Sequence, residues 1–441
     1  MTTSPALSPI DAAARLAGRR GRVLLHSARD DDGLGRWSFV AAEPHATLIA
    51  RGRSLVILDR DGRPARRFTA DPLDAAEAFL RDHGCTLEPR AGGAPEPRVI
   101  GYLGYELARV IERLPGGASV DHAEPDVWLA AYGAVARWSD GEPEIIGPDP
   151  AARAALAGAL ARPAPPSLAP SFRRFTADDD AAHHRARVER VHDHLAAGDA
   201  HEVNLARRLV ARIAAPGEIL ALYAALAEVA PAPYGALLEA DGVTLVSGSP
   251  ERFLTSVGDR IESRPIEGGR AHGPAASAAP NHAAEHRRIV DQVRDDLERI
   301  AEIGSVSVDG RSDSVEPPAP VHQVWRVSAR PRPGTGYARL LRATFPGGSI
   351  TGAPKLRAMQ LIDEIEPVGR GPACGALGYF GARGAFDLAI ATRIGVVSGR
   401  ELRVHVGGGI VADSDAATDL AEAERETAGW IAALDRLRTR G

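Results

Sequence analysis

The chain has 441 residues and a net charge of −5, with 44% hydrophobic and 25% charged side chains, a globular balance long enough for one large domain or two lobes. The mild negative charge, with no long basic cluster, excludes a general attraction to nucleic acid or an acidic membrane surface, and no apolar run reaches transmembrane length. Partners are therefore expected to be small molecules or proteins. Two cysteines, Cys85 and Cys374, make no disulfide framework, and the N-terminal MTTSPALSPIDAAARLAGRRG lacks the continuous apolar core of a signal peptide, so the expected compartment is the cytoplasm.

In chain order, short β-prone runs come first: RVLLHS, WSFVAAE, ATLIARG, SLVILD, RVIGYLGYE and VWLAAYGAVARW, most bounded by Gly, Asp or Pro. They predict a largely antiparallel sheet over residues 1–161, closed by an Ala-rich helix at 151–161. RPAPPSLAPS, residues 162–171, reads as an exposed, semi-rigid connector. Beyond it, over 172–441, helices are predicted near 181–197, 281–303, 354–365 and 415–437, alternating with strands such as GALLEA, LVSGS, AIATRIGVV and LRVHVGGGIV. Segregated sheets and helices predict an α+β fold rather than a doubly wound nucleotide fold.

The block FPGGSITGAPKLRAMQLIDEIEP, residues 345–367, holds the sole lysine of the chain, Lys355. It stands where a glycine-rich turn enters a helix, with Pro354 suited to the first helical position and Leu356, Met359, Ile362 and Ile365 recurring as an apolar stripe. Free N–H groups at such a start favour an anion. A tight turn before a packed helix fits the same residues.

Acidic residues also recur at helical spacing. Glu285 lies one turn before Ile289 on the stripe Ile289, Val293, Ile300, and a carboxylate on an apolar stripe needs a partner. Asp419, Glu422 and Glu426 share a face, where like charges repel. A hard cation such as Mg²⁺ reconciles both sets, since it takes one or two protein carboxylates and completes its shell with water and substrate oxygens. A solvated helix face is the alternative reading.

The block at 345–367 resembles the signature of chorismate-utilising enzymes, component I of aminodeoxychorismate synthase in particular, a relative of anthranilate synthase component I. LLHS at Leu24, GYLGYELAR at Gly101, GDAHEVNLARRL at Gly198, SPERFL at Ser249, RPIEGG at Arg264, CGALGYFG at Cys374 and GGGIVADS at Gly407 agree in kind and order. The resemblance implies two sheets packed face to face and flanked by helices, an active site in the cleft, and Mg²⁺-dependent amination of chorismate at C4, toward 4-aminobenzoate and folate, with ammonia from a glutamine amidotransferase subunit. C2 amination of anthranilate or aminodeoxyisochorismate type, or a diverged non-catalytic subunit, are the alternatives.

By the same resemblance Glu251 is the general acid that protonates the departing hydroxyl, in a setting that raises its pKa, and His322 is an active-site histidine. Glu285, Glu422 and Asp419 hold the metal. Ser349, Tyr379, Arg393 and the backbone of Gly407, Gly408 and Gly409 surround the substrate, the glycines as an anion nest or, on their own, an ordinary turn or bulge. Ser27, Leu34, Gly35, Arg36, Trp37, Pro233, Tyr234 and Gly235 match a tryptophan pocket, for which a filled core is the alternative. The chain also departs from the pattern. Glu267 stands where these enzymes carry a nucleophilic lysine, and no carboxylate forms an amine-linked intermediate. Glu426 replaces a lysine that neutralises a substrate carboxylate, His282 replaces an acidic residue, and His201, Glu202 and Ile394 are further changes.

Overall fold

A computed structural model describes residues 6–30, 33–89, 92–119, 121, 124–266, 280–314, 322–414 and 416–440; the side chains at 280–286, 311–314, 322–323, 418, 422 and 440 lie outside that description. Two antiparallel sheets carry the chain. The first runs, edge to edge, through Ser171–Phe172, Glu202–Ala215, Glu401–Val411, Ile394–Ser398, Val243–Ser249, Tyr234–Ala240, Val23–His26, Ser38–Ala41, Val135–Trp138 and Glu144–Ile146. The second runs through Ser307–Ser314, His322–Ala329, Arg260–Arg264, Arg252–Val257, Phe386–Ile390, Ala376–Gly381, Pro97–Leu103, Val127–Ala131, Ala46–Arg51, Ser54–Leu58 and Pro64–Thr69. The α+β expectation therefore holds, with both sheets taking strands from either side of the connector at 162–171.

Strand alternation produces the layers. Along Val127–Ala131 every residue is buried, but Trp128 and Ala130 face the first sheet, packing with Phe39 and Leu238, while Val127, Leu129 and Ala131 face outward into a helical layer. The helices Pro72–Asp82, Pro280–Glu298, Tyr337–Thr344 and Lys355–Ile365 cover that outer face. Pro9–Arg15, Pro150–Leu160, Leu220–Val229 and Ala416–Arg440 cover the outer face of the first sheet. Among the described residues no helix is long and apolar enough to cross a membrane.

The chain changes sheet abruptly, and two of these crossings meet. Val243–Ser249 of the first sheet passes through Pro250 and Glu251 into Arg252–Val257 of the second; Phe386–Ile390 of the second returns through residues 391–393 into Ile394–Ser398 of the first. The Ile390 N–H donates to the Glu251 carbonyl (3.1 Å), and the Gly248 N–H to that of Arg393 (2.9 Å). One seam thus joins the crossing that carries Glu251 to the one that carries Arg393.

Helix Lys355–Ile365 settles the two readings of its block. The Lys355 ammonium donates to the Asp296 carboxylate and to the carbonyls of Thr344 (2.9 Å) and Pro346 (2.7 Å), so its charge is committed internally and the turn-and-helix reading applies. Of the expected stripe, Met359, Ile362 and Ile365 are buried, joined by Ala358 and Leu361. Leu356 is exposed, whereas Asp363 is buried, held by the Arg109 guanidinium and the N–H groups of Gly116 and Gly117.

Candidate active site and an adjoining cavity

Glu251 ends the crossing with its side chain turned into a tight space of about 10 Å³ walled by Val293, Leu297, Gly347, Gly348, Ser349 and Ile390, room for about one water. Only 6% of the residue is exposed. Burial pushes its pKa from 4.5 up to about 7, opposed by the nearby Ser349 hydroxyl and Ile266 N–H, which favour the charged form. The setting that raises the pKa is a dry one, and near neutral pH the carboxyl is present in both forms. That is the property of a proton donor.

Ser349 borders the same space from the short turn Gly348–Ile350, which packs on Gln292 and Val293 of helix Pro280–Glu298, and among the described residues its buried hydroxyl has no hydrogen-bond partner. Arg393 is exposed in the return crossing at 391–393, across the seam from Gly248. Gly407, Gly408 and Gly409 form no nest. They lie in strand Glu401–Val411, registered against Ala206, Leu205 and Asn204, and successive N–H groups of a strand point in opposite directions. Gly407 is required by close approach, because a Cβ there would stand 2.0 Å from the Leu205 carbonyl oxygen. Its N–H donates to the Glu426 carboxylate (3.1 Å), so the donor expected for a substrate carboxylate is taken by the chain's own anion. Sequence reasoning placed Glu426 nearby but missed this bond.

The metal set is divided. Asp419 lies partly buried in helix Ala416–Arg440, which packs on strand Glu401–Val411, while the side chains of Glu285 and Glu422 lie outside the described residues, as do those of His282 and His322. Glu267 lies outside them altogether. Among the described residues no cluster of three or more His, Cys, Asp or Glu side chains suits a metal ion. The donor chemistry, three carboxylates on two helices, is that of a hard cation.

Between the sheets lies a cavity of about 580 Å³. Ser27, Gly35, Arg36, Trp37, Pro233, Tyr234 and Gly235 line it as expected. Leu34 does not, since it is 2% exposed and turned into the core. Tyr379, expected beside Ser349, lines this cavity instead and packs on Phe39 (ring centroids 5.1 Å apart). Strand parity explains the move, because Tyr379 faces the first sheet while Phe380 faces the helix bearing Tyr337. Gly35 adopts φ +79° against Pro233, where a Cβ would stand 2.6 Å from the carbonyl oxygen.

The wall is more polar than the expected apolar pocket. Arg252, the residue after Glu251, points the opposite way along its strand and grips Asp387 through two bonds (3.0 and 2.9 Å). The Trp37 ring lies near the guanidinium carbons of both Arg36 (5.5 Å) and Arg137 (5.4 Å). His26 pairs with the Tyr223 hydroxyl (2.8 Å), and burial lowers its pKa to about 4, leaving it neutral. Among the described residues the buried Tyr234 hydroxyl has no hydrogen-bond partner. Sequence reasoning missed Arg252 and Asp387, whose only signal was adjacency to Glu251 and an acid inside a β-prone run.

Comparison with known proteins agrees with this geometry. A family model described as "chorismate binding enzyme" matches residues 25–429. Aminodeoxychorismate synthase component 1 of Klebsiella aerogenes is 34% identical over 429 residues, covering 92% of each chain. An anthranilate synthase component 1 of Haloarcula marismortui is 36% identical over 350 residues, 72% of this chain and 71% of that one. The crystal structure of anthranilate synthase component I from Streptococcus pneumoniae superposes with a TM-score of 0.75 at 25% identity, covering 90% of this chain and 92% of the other.

Proposed function

We propose, from the premise that this chain belongs to the family of chorismate-binding enzymes, that it aminates chorismate at C4 as an aminodeoxychorismate synthase component I. The observation that carries the proposal is Glu251, a buried carboxyl whose pKa of about 7 suits it to donate a proton beside the Ser349 hydroxyl. In the step we envisage, the C4–O bond of chorismate breaks, the oxygen leaves as water with the Glu251 proton, and a C–N bond forms to ammonia. The proton shed by the new ammonium returns to the Glu251 carboxylate. With Glu267 in place of an amine, ammonia adds directly rather than displacing an enzyme-bound adduct. Arg393 is the cation we assign to one substrate carboxylate.

Glu285, Glu422 and Asp419 would hold Mg²⁺, which when bound supplies charge bridging acidic protein and dianionic substrate. A separate glutamine amidotransferase subunit would supply ammonia, and we place the chain in the cytoplasm. The cavity at Ser27 and Pro233–Gly235 is read as a tryptophan site, supported by its volume and its aromatic and polar wall. Glu267 favours one second reading, amination at C2, which needs no lysine nucleophile.

The test incubates purified chain with chorismate, Mg²⁺ and ammonium and identifies products by mass spectrometry and NMR. Aminodeoxychorismate from wild type, and none from Glu251→Gln, supports the proposal. Anthranilate or a C2-amino product would transfer it to the second reading, and bound but unconverted chorismate would mark a non-catalytic subunit. Calorimetry with Mg²⁺ on Glu285→Ala and Glu422→Ala, and with L-tryptophan on wild type, checks the two ligand assignments; unchanged Mg²⁺ affinity or absent tryptophan heat removes each.

A further inference from the structure

We infer that Lys355 is a positioning residue: together with Arg370 it clamps both ends of the turn carrying Ser349, and so fixes that turn as one wall of the space that receives the Glu251 carboxyl. The catalytic half of this inference rests on the function proposed above, whereas the clamp itself does not.

Three acceptors surround the ammonium: the Asp296 carboxylate and the carbonyls of Thr344 (2.9 Å) and Pro346 (2.7 Å). Both carbonyls lie just ahead of Gly347. On the far side the Arg370 guanidinium donates to the Ile350 carbonyl (2.7 Å) and the Asn204 carbonyl (2.8 Å), while gripping Glu366 (3.0 and 2.7 Å). Each cation is buried and each has its own carboxylate, so neither charge is left for a ligand. The acceptors they hold, at 344, 346 and 350, bracket Gly347–Ser349. Asp296 also borders the small space that receives Glu251.

The residue type supports the same reading. An ammonium is a compact charge with three donors, matched here to three acceptors, whereas a guanidinium is a longer planar fork with five. A chain that uses arginine at every other fixed cationic position has lysine at this one. Buried ion pairs are poor sources of stability and are often replaceable by apolar residues of similar volume. Their value at this turn is placement.

The test is the double variant Asp296→Leu/Lys355→Met, which removes the pair without stranding a charge. Hydrogen exchange of the amides at residues 347–351, read by mass spectrometry, is expected to accelerate at least tenfold while the urea midpoint stays near wild type. The kcat for chorismate amination is expected to fall at least tenfold with KM changed less than threefold. The alkaline limb of the pH profile should move downward, because a loosened wall admits water and the Glu251 carboxyl then ionises more readily. Wild-type exchange at 347–351 would overturn the clamp; faster exchange with wild-type kcat and pH profile would overturn the positioning role. Should the double variant fail to fold, Lys355→Arg keeps the charge and is read by the same two measurements. Wild-type protein inert toward chorismate would refute the proposed amination, with the exchange measurement still deciding the clamp.

Discussion

Replacing Glu251 by Gln gives an amide of nearly the same shape that can neither ionise nor donate as an acid. The effect on stability follows from the burial of the carboxyl. Its pKa rises from 4.5 in the unfolded chain to about 7 in the folded one, and at 1.36 kcal/mol per pH unit the folded state disfavours the ionised form by about 3 kcal/mol. The sign follows directly: wild type keeps this stability below pH 4.5 and loses it as pH rises through 7, while the amide does not titrate. Glu251→Gln should therefore match wild type near pH 4.5 and exceed it by up to about 3 kcal/mol above pH 7.5. Urea unfolding at pH 5, 6, 7 and 8 measures the difference, in which the other titrating groups cancel. The same substitution should lower turnover by roughly 10²- to 10⁴-fold. A difference that does not vary with pH would show that the carboxyl is solvated, and would remove the physical basis for its role as an acid.

Glu426→Gln keeps an acceptor for the Gly407 N–H and removes a charge from the substrate's side of the sheet, so chorismate binding should tighten by about 1 kcal/mol, more at low salt. Equal affinity across a salt series would place the carboxylate outside the substrate's field. Gly407→Ala drives a methyl into the Leu205 carbonyl oxygen and should cost about 3 kcal/mol or more, or prevent folding; a midpoint within 0.5 kcal/mol of wild type (about the scale of a neutral substitution) would contradict the register. Arg252→Met removes the two bonds that Asp387 accepts beside the cavity and should destabilise by about 3–5 kcal/mol, with Arg252→Met/Asp387→Leu recovering most of the loss. Failure of the double variant to recover would mean that the pair acts through more than its charge.

Local signals carried far in this sequence. The helices at Ala181–Ala196 and Lys355–Ile365 begin and end within a residue of their expected places, because period and caps are written along the chain. VWLAAYGAVARW illustrates the limit. It reads as one β-prone run, but Val127–Ala131 belongs to the second sheet and Val135–Trp138 to the first, with Tyr132–Ala134 as the crossing. Pairing partners lie far along the chain, and no local property specifies them. The hairpin Ser307–Ser314 with His322–Ala329 escaped notice because its first strand, SVDGRSDS, lacks apolar alternation. Among site residues Glu251 was legible through its motif. The bond from Gly407 to Glu426, the pairing of Arg252 with Asp387 and the departure of Tyr379 from the Ser349 group all depend on which face a strand presents, a parity that one bulge or crossing reverses.

The interleaving of the sheets bears on how the protein is made. Strand Glu202–Ala215 pairs along its length with Glu401–Val411, so its long inner edge stays open until almost the entire chain has left the ribosome, a wait of roughly 10–40 s at about 5–20 residues per second. An open edge of this length is an invitation to intermolecular pairing. Arg207, Arg208 and Arg212 punctuate it; the acids that pair with the first two, Asp179, Asp178 and Asp121, precede the strand, whereas Glu401, which faces Arg212 (3.9 Å), comes only with the last strand. Until Glu401 is made, the Arg212 charge opposes pairing of that edge with a second nascent chain. For the same reason a cut at the proline-rich connector yields two pieces that each lack part of both sheets, and they should become ordered only when mixed.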